Sequence, residues 1–523
     1  MTDMHWARWG DPKRARALPD EARGLVELAF GAAEPRGMTP LDDVTVPEVG
    51  LTDDLLTRLR AIVDVRVDHD SRVRHTRGKS TPDLLKMRAG DAGDAPDAVV
   101  SPDGHDQVAA VVSWCSDNRV ALVPFGGGTS VVGGLAARRD GYAGVVAMDL
   151  RRMNSLISVD GESHTAVLQA GMLGPEAEAS LARHGFTLGH FPQSFEYATI
   201  GGFAATRSSG QASAGYGRFD ALVLAVTVAT PIGTLRLGTA PGTAAGPDLR
   251  QLVLGSEGAF GVITDVTVRV RQLPEVRKYD GWRFSSFDEA TAALRDLVQC
   301  GVVPTVLRLS DETETAINLA DPASVGGSSG GGCLMVTGHE GTRDDVDRVR
   351  ALTTTRLSGR GAALDAEAGA AWERGRFDGP YLRDAMLDVG VLVETLETAT
   401  YWSNLRTVYD AVRAALTRTL SGQGTNPIVL CHVSHVYETG ASLYFTVAVK
   451  QLGNGLEQWT AAKRAASDAM VAAGATITHH HAVGRDHLPW LTDEIGPVGV
   501  EVLRAVKARL DPAGVLNPGV LVP

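Results

Sequence analysis

Pro124-Phe-Gly-Gly-Gly-Thr-Ser130 is the stretch on which the reading of this chain turns. Three successive glycines follow an apolar run and leave backbone N–H groups with no side chains in front of them, a concave arrangement that favours a phosphate. Val131, Val132, Gly133 and Gly134 come next, so the backbone can turn twice within a short span. A loop of this composition also makes an ordinary tight turn, and only the surrounding sequence can decide between the two readings.

Two nucleotide fingerprints fail at this point. Counted from Gly126, the third glycine of GxGxxG falls on Val131, and no acidic ribose reader closes a following βαβ unit. Arg77-Gly-Lys-Ser80 imitates the end of a Walker A loop, but Val73 stands at its opening glycine, so Lys79 is read as a solvated side chain.

At roughly 150 residues per domain, a chain of 523 residues has room for several domains, each with ample core. The hydrophobic share of 44% and charged share of 21% are those of a soluble globular protein. A net charge of -12 argues against a general nucleic-acid binder, which needs a basic face. Cys115, Cys300, Cys333 and Cys431 are far apart and form no CxxC pair, which fits a reducing cytoplasm. No apolar run is long enough for a membrane span, and the first residues lack a signal-peptide core. A cytoplasmic location is expected, with peripheral membrane contact and a homodimer left open.

The first 90 or so residues are charged and weakly patterned, with short helical segments at Asp20 to Gly31 and Asp53 to Val63. From Ala98 the text changes to β-branched runs between glycine turns, predicting strands at 98–101, 120–124, 144–149, 164–169, 222–229 and 262–271. From about Lys278, helices at 286–299, 343–357, 402–419 and 455–473 alternate with strands at 304–309, 333–337, 427–433 and 442–449. Both halves are therefore read as α+β. The run Gly326 to Gly332 has no adjacent basic residue and reads as a flexible surface loop.

Further glycine-rich segments follow the first in a specific order. Gly189-His-Phe-Pro-Gln-Ser-Phe-Glu-Tyr-Ala-Thr-Ile-Gly-Gly202 runs into Phe203-Ala-Ala-Thr-Arg-Ser-Ser-Gly210, and Gly255-Ser-Glu-Gly-Ala-Phe-Gly-Val-Ile-Thr264 opens a strand. Taken with Pro124 to Ser130, this set resembles the FAD-binding domain of the vanillyl-alcohol oxidase, or para-cresol methylhydroxylase-type, superfamily. The resemblance implies a two-subdomain FAD-binding domain with an α+β cap. It puts Pro124, Phe125, Gly126, Gly127, Gly128, Thr129 and Ser130 on the pyrophosphate. It also places Gln193, Ser194, Tyr197, Thr199, Gly201, Gly202, Thr206, Ser208, Ser209, Glu257, Gly258, Gly261 and Ile263 along the rest of FAD. The first loop holds no His or Cys for covalent attachment, so the FAD is expected to be non-covalent. The implied organisation is an extension over 1–90, the FAD-binding domain over 91–273, the cap over 274–490 and a returning C-terminal segment over 491–523.

His479-His-His-Ala-Val-Gly484 is the strongest clue to chemistry, because three adjacent imidazoles are an unusual resource for proton transfer. On an extended backbone His479 and His481 would share one face, so a metal could use only those two, and none is expected. Trp6-Ala-Arg-Trp-Gly10, Gly301-Val-Val-Pro-Thr-Val-Leu-Arg308, Tyr381-Leu-Arg-Asp384, Gly440-Ala-Ser-Leu-Tyr-Phe445 and the triple histidine resemble, in order, the alkyldihydroxyacetonephosphate synthase family.

That family replaces the acyl chain of acyl-dihydroxyacetone phosphate with a fatty alcohol, without net redox change, through an adduct at flavin N5. The resemblance implies that Tyr444 is the proton donor and acceptor, assisted by His479, His480 and His481. It implies that Arg383 holds the substrate phosphate, and that Arg308 and His190 line the site. Three positions depart from the family pattern: Ala482 for a glycine, Gln193 for an aspartate and His432 for an arginine. The competing reading is an FAD-dependent D-2-hydroxyacid dehydrogenase. Its Gly-His-x-Gly-Asp-Gly-Asn-x-His stretch is missing from His432-Val-Ser-His-Val-Tyr-Glu-Thr-Gly440.

Overall fold

The computed structural model describes residues 4–31, 36–317 and 331–523. The first five positions of the Gly326 to Gly332 run lie outside the described residues. Three sheets of four or more strands organise the described residues. The first has four strands in the order Asp64–Arg66, Ala98–Ser101, Val145–Asp149, Ala121–Phe125. Its last three strands run parallel, and Asp64–Arg66 joins antiparallel at the edge. The second is antiparallel, with Leu156–Asp160, Thr165–Gln169, Val262–Arg269, Val223–Thr230 and Gly233–Leu237 side by side.

The third sheet has seven strands. From one edge they run Ala362–Ala363, Val276–Phe284, Cys333–Gly341, Val306–Ser310, Ile428–Val433, Gly440–Lys450 and Val391–Tyr401. Strand alternation gives this sheet two unlike faces. Leu307, Leu309, Val429, Cys431, Val433, Leu443, Phe445 and Val447 point into an apolar core with helices Phe287–Gln299, Leu405–Gly422 and Gly455–Ala472. Arg308, Leu430, His432, Tyr444 and Thr446 point the other way and border a cavity.

Most elements expected from the sequence are present within a few residues, and the α+β class holds. Among strands of five or more residues, four were not foreseen: Leu156–Asp160, Gly233–Leu237, Val276–Phe284 and Val391–Tyr401. The last carries Glu394 and Glu397 inside an otherwise apolar run, and both carboxylates are buried, which hides a buried strand from a reading based on hydrophobicity. The C-terminal helix Leu491–Leu510 breaks at Gly496, where φ is 73°, ahead of Pro497. Beyond it the chain returns to the first sheet, where Leu122 N–H donates to Val515 O and Asn517 N–H to Leu122 O. Among the described residues no helix is long and apolar enough to cross a membrane.

Candidate active site

A cavity of about 810 Å³ lies between the cap sheet and the two smaller sheets. The glycine loop forms one wall. Its strand ends at Phe125, whose ring packs 4.5 Å from that of His75, and His75 Nε2 lies 3.2 Å from the Asp149 carboxylate. A Cβ at Gly127 would overlap the Tyr197 carbonyl, one at Gly126 would overlap the Thr199 hydroxyl, and Gly128 has φ 70°. The loop is therefore a close-fitting cradle that side chains would fill.

Directly against the loop, Thr199 caps the helix Ile200–Thr206 by accepting from Gly202 N–H at 3.1 Å, so the positive end of that helix also faces the cavity. Ser209 Oγ is buried on the cavity wall with no hydrogen-bond partner. An elongated polyanionic cofactor fits this set of N–H groups, hydroxyls and glycines. Glu257, at φ 51°, accepts from Gly484 N–H at 2.7 Å and so ties the cradle to the turn after the histidines. Burial pushes its pKa up to about 7.

A set of buried titratable groups occupies one row across the cap sheet. Glu397 is the register partner of Tyr444, and Tyr444 that of His432. The His432 ring stacks on Tyr444 at 4.8 Å, and the His480 and His481 rings approach Tyr444 at 6.0 Å and 5.6 Å. Burial pushes the Tyr444 hydroxyl up to about 12, so it is protonated at neutral pH. Burial also lowers His480 and His481 to about 4, which leaves both rings neutral.

Glu397 is the anchor of this row. Its carboxylate accepts the backbone N–H groups of His479, His480 and His481 at 2.7, 3.1 and 2.9 Å, and the Thr478 hydroxyl at 2.6 Å. Burial opposes its ionisation, but the facing imidazoles and these donors hold it well below the usual carboxylate range. We assign the negative charge to Glu397 and neutrality to the rings, because four donors converge on the one carboxylate. Glu314 plays a similar part beside Arg308. Burial would raise its pKa, yet His432 at 3.0 Å and Arg308 at 2.5 Å bring it down to about 2.

Arg383 sits on helix Gly379–Asp388, against strand Val391–Tyr401. Its Nη1 donates to Lys79 O at 2.6 Å, its Nη2 reaches Asp384, its Nε is buried without a partner, and the residue borders the cavity.

The expected residues Pro124 to Ser130, Gln193, Ser194, Thr199, Gly201, Gly202, Thr206, Ser208, Ser209, Glu257, Gly258, Gly261, Ile263, Arg308, Arg383, Tyr444, His480 and His481 all border this one cavity. Three others do not. His190 is buried one layer behind, bonded to Ser208 Oγ at 3.1 Å and packed on Phe203 and Phe219. Tyr197 offers its carbonyl to the back of the loop and its ring to Trp9. His479 turns away toward Tyr437.

Two readings are corrected. Lys79 is buried, not solvated: its Nζ donates to the carbonyls of His5 and Trp6, it borders the cavity, and burial lowers it to about 7. The three histidines are not in an extended strand, because the Glu397 carboxylate gathers their N–H groups on one side. The imidazoles whose donor atoms converge, within 4.8 Å, are therefore those of His435, His479 and His480 rather than His479 and His481. Glu314, Glu394, Glu397, His435 and Tyr437 were missed. Two acidic residues within a β-branched run, and a second histidine three residues after His432, were the signals available.

Residues 96–238 match the family described as FAD binding domain, and residues 273–521 the family described as FAD linked oxidases, C-terminal domain. The chain is 34% identical over 477 residues to an alkyldihydroxyacetonephosphate synthase of Dictyostelium discoideum, covering 87% of this chain and 78% of that one. The chain belongs to the alkyldihydroxyacetonephosphate synthase family. A solved alkyldihydroxyacetonephosphate synthase superposes with a TM-score of 0.84 at 28% identity, over 99% of this chain and 98% of the other. A p-cresol methylhydroxylase shares the fold, with a TM-score of 0.67 at 17% identity over 90% of this chain and 98% of that one. As a member of this family the protein is an FAD-dependent enzyme.

Proposed function

We propose that this chain exchanges the acyl chain of acyl-dihydroxyacetone phosphate for a fatty alcohol, forming an ether with no net redox change. The observation that carries the reading is the row Glu397, Tyr444 and His432 packed against His480 and His481 at the cavity wall. FAD, when bound along the glycine cradle, would supply an electrophilic centre with no net change of its redox state.

The protein groups divide the rest of the work. Arg383, which borders the cavity, would hold the substrate phosphate, an anion that a guanidinium recognises as a planar fork. Tyr444, protonated at rest, would be the proton donor and acceptor at the substrate carbon. Neutral His480 starts as the base for the incoming hydroxyl, because its lone pair is free at pH 7. Leu18, Val26, Phe30, Ile428 and Leu430 supply apolar wall suited to an aliphatic chain and exclude water from it.

Other parts of the reading have their own support. Non-covalent FAD accords with the absence of both histidine and cysteine from the loop Pro124 to Ser130. The four cysteines are all unpaired, which accords with a cytoplasmic location. Exposed Leu25 and Leu28 favour peripheral membrane contact, and exposed Ile495, Val498 and Val502 on the last helix favour pairing of two copies. Domain limits at 90, 273 and 490 remain our proposal.

The test is anaerobic mixing of the yellow holoprotein with acyl-dihydroxyacetone phosphate, and separately with D-lactate or D-2-hydroxyglutarate. Release of fatty acid with the flavin left oxidised at the end supports the exchange. Lasting flavin reduction by a hydroxy acid overturns it.

A further inference from the structure

Tyr437 and His479 stand outside the cavity wall, yet hydrogen bonds join them to His480, which is part of it. Tyr437 is 38% exposed, whereas His479 is buried. The Tyr437 hydroxyl lies 2.5 Å from His479 Nε2, and His479 Nδ1 lies 3.0 Å from His480 Nδ1. Two arrangements of protons satisfy both contacts. In the first, Tyr437 donates to His479 Nε2, His479 Nδ1–H donates to His480 Nδ1, and His480 carries its proton on Nε2. In the second, His480 Nδ1–H donates to His479, His479 Nε2–H donates to Tyr437, and His480 Nε2 is bare.

We propose that Tyr437, His479 and His480 form a proton relay between the protein surface and the cavity, a role that rests on the reaction proposed above. That reaction takes a proton from the incoming alcohol inside a wall of buried groups. From the second arrangement, His480 Nε2 accepts that proton. The Nδ1 proton of His480 then passes to His479 Nδ1, the Nε2 proton of His479 passes to the Tyr437 oxygen, and the former hydroxyl proton of Tyr437 leaves to solvent. One proton has crossed, no electrons have moved, and the chain rests in the first arrangement. Running in reverse, the relay delivers a proton.

The surroundings suit this task. Glu397 Oε2 lies 3.4 Å from His480 Nδ1, so a transient imidazolium has a fixed counter-charge. Arg218 donates to the His479 carbonyl at 3.1 Å and holds the middle of the relay in place. The phenol keeps its proton at neutral pH, because partial burial, with Asp220 and Glu397 nearby, pushes Tyr437 up to about 12 against the pull of Arg218.

Tyr437→Phe removes one oxygen and leaves the ring beside His479. In FAD-loaded enzyme it should lower kcat by about 10-fold or more with KM unchanged. It should also enlarge the solvent deuterium isotope effect, and added imidazole buffer should restore the rate. Wild-type kinetics, or a loss of rate with neither a larger isotope effect nor buffer rescue, overturns the relay. A readout independent of turnover is ¹⁵N NMR of histidine-labelled protein, with His480 assigned through His480→Asn. The Tyr437→Phe change should move the His480 nitrogen shifts as well as those of His479. An unmoved His480, or a stoichiometric metal ion in the purified protein bound between these rings, also overturns the relay. If wild type forms no ether, the proposed reaction fails while the NMR arm still decides the relay.

Discussion

At the scale of single residues, burial decides which group can act as acid and which as base. Tyr444 is protonated up to about pH 12 and His480 is neutral down to about pH 4, so across the neutral range one donates and the other accepts. Tyr444→Phe should reduce kcat by about 100-fold or more while FAD stays bound, as read by steady-state kinetics and the visible spectrum. Ala482 occupies the glycine position after the histidines at φ 71°, where a side chain costs about 1–2 kcal/mol. Ala482→Gly should therefore raise stability by about 1 kcal/mol in urea unfolding, once the glycine's extra unfolded-state entropy is subtracted. A loss of stability would show that the methyl packs better than it strains. Burial and neighbouring imidazoles lower His190 and His435 to about 3. The unfolded chain, with histidines near 6.5, takes up protons below that pH that the folded chain refuses. The stability these rings contribute is complete above pH 6.5 and is lost as pH falls toward 3, by up to about 1.4 kcal/mol per pH unit for each ring. His435→Gln should flatten the fall of melting temperature between pH 6.5 and 5, and parallel curves would contradict the assignment.

Secondary elements divide into those the sequence made legible and those it hid. The glycine loop was legible because nothing but backbone can pass between Phe125 and Tyr197. Gly127→Ala should release FAD, measured as a lower ratio of flavin to protein absorbance after gel filtration, and a fully loaded variant would refute the cradle. Strand Gly440–Lys450 was legible from its alternation, with Leu443, Phe445 and Val447 on the core side and Tyr444 and Thr446 on the other. Its partner Val391–Tyr401 was not. Glu394 and Glu397 look like surface residues until their acceptors are matched to the N–H groups of Thr81 and Thr395, and of His479 to His481. A buried carboxylate is stable only with such donors, and those come from segments remote in sequence. The orientation of the three histidines was hidden for the same reason.

At the scale of the whole molecule, the site is closed by the start of the chain. Lys79 donates to the carbonyls of His5 and Trp6, Asp384 accepts from Trp9 N–H, and Asp388 pairs with Arg8 and Arg88. This strap spans from the Lys79 segment to the helix that bears Arg383, joining residues some 300 positions apart. No local pattern reports such a contact, and Lys79 accordingly reads as a surface lysine in sequence. Lys79→Met should loosen the strap, speed proteolysis within the first residues and raise KM for the phosphate-bearing substrate. Unchanged proteolysis and KM would remove the strap from the account. The central claim is that this cavity makes an ether without net redox change. Mass spectrometry of products after incubation of the holoprotein with acyl-dihydroxyacetone phosphate and hexadecanol tests it most directly. The account predicts hexadecyl-dihydroxyacetone phosphate and free fatty acid in equal amounts. Absence of the ether from FAD-loaded protein with both substrates present would contradict it.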